Sequence, residues 1–143
     1  MNHRIRLITA ALVAVVFTLA LSTAAFAQTG TVYEGSFDRI GKVTSSGSSW
    51  TIYQGSFDRL GQVRRSGSEW TVYEGSFDRV GRVKCSGSEC TVYEGSFTRA
   101  GRVKRQGSDW IVYRGSFERV GRIAGLGFSG GGAAGGAALL MLL

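Results

Sequence analysis

From Thr31 onward, apolar and polar positions alternate over short stretches, as in Gly41-Lys42-Val43 and Trp50-Thr51-Ile52-Tyr53, and do not recur at helical spacing. Successive side chains of a strand point to opposite faces, so this alternation predicts strands with one drier face. The pattern returns every 20 residues without slippage, in units beginning at Thr31, Thr51, Thr71, Thr91 and Ile111, the last truncated near Ile123. A unit reads Thr-Val-Tyr-Glu-Gly-Ser-Phe-Asp-Arg-Val-Gly-Arg-Val, then a polar link centred on Ser-Gly-Ser, then Trp. Tyr, Thr, Val and Trp suit strands, and Gly and Ser suit tight turns, so each unit predicts two short strands and the chain ten. Solenoids, toroids and barrels all share such a period.

Comparing units predicts the register. The two ends of the link hold Ser45/Trp50, Arg65/Trp70, Cys85/Cys90 and Arg105/Trp110, so two cysteines replace both members of one pair at once. Residues facing each other across a hairpin lie at a separation that suits a disulfide, and Cys85–Cys90 is expected to be oxidised in an exported protein. In the equivalent places, Arg65 on Trp70 and Arg105 on Trp110 suggest cation–π contacts. Two thiols without a third ligand are a poor metal site, and the spacing is not that of a redox Cys-x-x-Cys pair.

This register sorts the faces. One carries the Val/Ile pairs, the Trp residues and Gly41, Gly61, Gly81, Gly101 and Gly121, and is assigned to the interior. The other carries Tyr33, Tyr53, Tyr73, Tyr93 and Tyr113, together with Ile40, Leu60, Val80, Ala100 and Val120. Lys42, Arg82, Arg102 and Arg122 complete it as a basic, aromatic collar and are candidate contacts for an anionic headgroup. The Gly-Ser-Phe-Asp turn would set Glu34 opposite Arg39, Glu74 opposite Arg79 and Glu94 opposite Arg99, as exposed ion pairs worth under ~1 kcal/mol each. Pairing of the last strand with the first would close a ring and remove both edges. An open β-solenoid with one coil per unit is the structural rival.

The ends differ from the repeat. Residues 1–27 read as a signal peptide: His3, Arg4 and Arg6, an uncharged apolar run from Ile8 to Leu21, and Ala25-Phe26-Ala27 before Gln28. That places the protein outside the cytoplasm, in the periplasm or cell envelope. With Arg4 and Arg6 removed from 17 Lys and Arg, 15 remain against 10 Asp and Glu. Residues 28–123 form the repeat domain and 124–143 an apolar tail, Gly-rich at first and ending in Leu139, Leu140, Met141, Leu142 and Leu143. As a continuous helix, Ile123 to Leu143 would be ~31 Å long, enough to cross a bilayer core. Ten strands would close into a cylinder ~19–22 Å across, with a lumen close to the width of a slim helix. The tail is therefore expected to contact membrane through its Leu cluster, to plug the barrel, or to do both; a linker is the remaining alternative.

The Val-Tyr, Arg-(Ile/Val)-Gly-Arg-Val pattern at this spacing, from Val32 to Ile123, resembles the β-flower repeats of bacterial proteins. The resemblance implies an all-β fold in which five hairpins close into a shallow ten-stranded barrel. It implies no activity, and a comparison of flowers with the tubby-like barrel suggests membrane association. The turn departs from the family pattern: Glu-Gly-Ser-Phe stands where flower repeats often have Asp-x-Ser-Gly. Five units also differ from the commoner four. Tyr33-Glu34-Gly35-x-Phe37 and its copies also resemble MORN repeats, which are slightly longer and end in a Gly-x-Gly that Gly41-Lys42-Val43 does not supply.

Function classes narrow accordingly. The single His lies in the leader, which removes Ser-His-Asp and Cys-His catalysis from the mature chain. Asp38, Asp58, Asp78 and Glu118 recur by symmetry, so no unit is specialised for acid–base work. No cofactor is expected, and export argues against nucleic acid. The reading is a non-enzymatic envelope protein that meets membrane lipid through its C-terminus, the tail being also where copies of the chain would associate. Its alternatives are a component of a pore or transport assembly, and a soluble periplasmic scaffold plugged by its own tail. Strands of about six residues are short for a membrane barrel, which needs ~9–11.

Overall fold

The computed structural model describes residues 28–46, 48–127 and 129–143, with the Ser46 side chain left aside. The expected signal peptide, residues 1–27, lies outside the described residues. Ten antiparallel strands form a closed barrel in which every strand pairs with its sequence neighbours and β1 pairs with β10. They are β1 (Thr29–Glu34), β2 (Asp38–Ser46), β3 (Ser49–Gln54), β4 (Asp58–Ser66), β5 (Glu69–Glu74), β6 (Asp78–Ser86), β7 (Glu89–Glu94), β8 (Thr98–Gln106), β9 (Asp109–Arg114) and β10 (Glu118–Ala124). Closure is seated by Thr31 opposite Ala124 and Val32 opposite Ile123, which leaves no sheet edge open.

Two kinds of turn alternate. At one end the Gly-Ser links place Gly67, Gly87 and Gly107 at φ of 63–64°, the conformation a two-residue hairpin needs at its first position. Across these links the register is as expected, with Cys85 facing Cys90 and Val83 facing Val92. At the other end, Gly-Ser-Phe turns are followed by a β-bulge that breaks the register between Val32 and Tyr33 and at each equivalent place. The bulge overturns the expected opposition of Glu34 and Arg39: Tyr33 faces Arg39, and Glu34 faces Asp38. It also moves Ile40, Leu60, Val80 and Val120 from the expected outer face to the inner rim, where they pack against the core. Two residues of the bulged strand answer one on its partner, so the inward row gains a member.

The tail enters this barrel. Leu126 turns inward, and α1, Gly131–Met141, occupies the lumen, with Gly131 to Ala138 buried. The expected 21-residue helix from Ile123 is thus an 11-residue one, because Ile123 and Ala124 complete β10. Each strand contributes one β-branched residue to a girdle around α1, from Val32 and Val43 to Val112 and Ile123, all 0% exposed. A slim helix is required: a Cβ on Gly135 would lie 2.6 Å from Val83, and one on Gly131 2.6 Å from the Cys90 sulfur. A helix apolar on every side belongs in such an interior.

Candidate functional site

Because α1 fills the lumen, the surfaces left for function are the two mouths and the outer wall. The link-end mouth is made by Trp50, Trp70, Trp110 and the Cys85–Cys90 disulfide. The equivalent place in the first unit is Gly30, where the Leu126 side chain takes the room a Trp would fill. Through that gap the chain crosses from β10 to α1, held by the Trp110 indole N–H donating to the Gly127 carbonyl at 2.9 Å. The disulfide therefore closes one side of the layer that receives the first turn of α1.

On the outer wall, the expected collar is present and its chemistry is already engaged. Lys42 stands over Tyr53, Arg82 over Tyr93, Arg102 over Tyr113 and Arg122 over Tyr33, at 4.2–5.0 Å from the ring centroids. Arg82 also pairs with Glu69 at 2.9 Å, Arg102 with Glu89 at 3.2 Å and Arg122 with Asp109 at 3.1 Å. These ion pairs run diagonally across adjacent strands, in place of those expected across the Gly-Ser-Phe turn. Arg82 and Arg122 further donate Nε to the Ser96 and Ser36 carbonyls of the neighbouring turns. Gln62, which replaces the collar cation in the second unit, donates to Ser76 in the same way. Arg65 is turned to the Gly67 carbonyl at 3.3 Å.

The other mouth is the more unusual surface. Phe37, Phe57, Phe77, Phe97 and Phe117 sit in the five Gly-Ser-Phe turns and are 86–89% exposed. Each turn is anchored to its neighbour: Gly55 N–H donates to the Ile40 carbonyl, Gly75 to Leu60 and Gly95 to Val80, each at 2.8 Å. Inside this crown lies the end of the tail. Leu139, Leu140, Met141, Leu142 and Leu143 each meet a different glycine, respectively Gly81, Gly61, Gly41, Gly121 and Gly101. Five consecutive residues thereby visit all five repeats. The backbone opens to permit this, since the Leu142 and Leu143 amides both donate to the Ala138 carbonyl, at 2.9 and 2.8 Å. Leu142 is buried, the other four are half-buried, and the Arg114 guanidinium donates to the Leu142 carbonyl at 2.8 Å.

The five phenylalanines were missed as a site by sequence reasoning. Their signal is present in the repeat: a large apolar residue at the apex of a Gly-Ser turn, once per unit, where neither sheet face can bury it. Among the described residues, no group of three or more His, Cys, Asp or Glu side chains gathers to hold a metal. No helix of the described residues is long and apolar enough to cross a membrane. No family model matches the chain, and neither a curated protein nor a solved structure matches it.

Proposed function

We propose that this chain is a non-enzymatic, exported module of the bacterial cell envelope, a β-flower-type barrel that associates with a membrane by its apolar end. The observation that carries this reading is the mouth at which five exposed phenylalanines surround the half-buried Leu139, Leu140, Met141 and Leu143. Association through the tail takes a particular form: the tail, whose helix ends at Met141, builds the floor of an apolar surface. The basic collar supports the surface by bracing its turns, and anion binding by Lys42, Arg82, Arg102 and Arg122 would have to compete with their existing partners. A conduit through this barrel would require expulsion of α1.

Cell fractionation of the full chain tests the reading. The expected result is a form shortened by its leader, found in the envelope fraction and released by detergent. Unprocessed protein in the cytosol would refute it. A processed protein wholly in the soluble periplasmic fraction would instead favour the scaffold reading, which the self-plugged lumen also accommodates.

A further inference from the structure

We infer that the five turn phenylalanines form a docking crown for the interfacial zone of a lipid bilayer, one that recognises apolar depth and not headgroup charge. The inference rests on the membrane reading above and names its contact surface. Exposed aromatic side chains set singly on a protein need no explanation, but five at the same position of five successive turns form one surface. Aromatic rings are favoured where one side is apolar and the other wet, which is the bilayer interface.

Three features identify the occupant. The crown repeats around the barrel, so its five members meet equivalent surroundings only against a partner that is uniform in the plane. Two strands separate one Phe from the next, which at ~4.8 Å per strand and the tilt of a barrel is a spacing of about 12 Å. Gaps of that width suit a fluid partner, which fills them, better than a rigid protein surface, which would leave them wet. Charge is the third feature. Positions 34–39 of the five units carry seven acids and six arginines, so this end of the barrel is nearly neutral despite the basic chain. A surface selected for anionic lipid would be expected to carry a net positive charge here, whereas the arginines of these turns are matched in number by acids. The collar cations reach these turns but are already engaged: Arg82 and Arg122 bond the Ser96 and Ser36 carbonyls, Lys42 lies 5.7 Å from the centroid of the Phe57 ring, and the ion-paired arginines are only 21–24% exposed.

The crown is also stiff. Each turn glycine that bonds to its neighbour's bulge carbonyl, and each serine carbonyl capped by Arg82, Arg122 or Gln62, fixes where the next Phe stands. Turns held in this way lose little backbone freedom on insertion.

The experiment is co-sedimentation of the purified, exported full chain with vesicles of pure phosphatidylcholine and of phosphatidylcholine mixed with phosphatidylglycerol, at low and high salt. Wild-type protein should bind both, with little change on adding salt. A single Phe77→Ser substitution should lower the partition coefficient about threefold to tenfold, from the loss of partly buried aromatic surface. Replacing all five with Ser should abolish sedimentation, and replacing all five with Leu should retain it. At such exposed positions the barrel should keep its circular dichroism spectrum and unfolding midpoint.

Binding unchanged in the five-Ser variant would overturn the crown while leaving membrane association standing. Binding only to phosphatidylglycerol vesicles, lost at high salt, would overturn it in favour of charge. A Phe-dependent dimer that ignores vesicles would make a second copy the occupant. No vesicle binding by a protein that fractionates with the envelope would place its attachment elsewhere.

Discussion

The guanidinium of Arg122 lies 4.2 Å from the centroid of the Tyr33 ring, so the last strand of the barrel grips the first through a side-chain stack. The same side chain bonds Asp109 on β9 and the Ser36 carbonyl in the first turn. Arg122→Ala should destabilise the barrel by about 2 kcal/mol, from the loss of the stack and of charge-assisted hydrogen bonds. Arg122→Lys should recover only part of it, because an ammonium lacks the planar fork that serves all three partners. Urea unfolding of the two variants checks both values.

Restoring the repeat at its exception should harm the protein. Gly30 stands where other units have Trp50, Trp70 and Trp110, and Leu126 already fills its space. Gly30→Trp makes the sequence more regular and the core overfull, and should cost at least the ~1–3 kcal/mol typical of overpacking. The companion substitution Trp110→Phe removes the bond to Gly127 while keeping an aromatic ring there, and should cost about 1 kcal/mol. Denaturation midpoints at equal m-values decide both.

Reduction of Cys85–Cys90 should weaken the barrel without dismantling it. The bridge spans a sequence separation of only five residues, across a hairpin already paired on both sides. Loop-closure entropy for so short a loop gives about 2 kcal/mol. The Cys85→Ser, Cys90→Ser double variant should therefore fold, with a lowered melting temperature and an unchanged spectrum.

Removing the tail should have a far larger effect. A chain ending at Ala124 would keep both closure pairs and leave the girdle from Val32 to Ile123 lining an empty apolar cylinder. That chain should lose cooperative unfolding and aggregate or expose dye-binding surface, whereas the full chain should unfold in one transition. Calorimetry of the two forms distinguishes them; a cooperative, soluble truncated barrel would show that α1 is dispensable.

Much of the fold was legible because the repeat displays its own register. The simultaneous change of Cys85 and Cys90 identifies facing residues, and alternation then sorts Val83 from Arg82. Register failed where a bulge intervenes, since Ile40 and its counterparts look like ordinary strand residues and nothing local distinguishes a doubled position. The collar was read correctly as tyrosine and cation on one face, but composition cannot show that Arg82 is occupied by Tyr93, Glu69 and Ser96 together. The tail was legible as apolar and slim. Its true length as a helix was hidden, because β10 claims Ile123 and Ala124 for closure.

The interior position of α1 also sets an order of events. Thr31 cannot meet Ala124 until β10 exists, and the girdle cannot be filled until α1 does. Contacts so distant in sequence form late and slowly. A barrel whose filling follows its last strand stays hollow while its ten strands are being made.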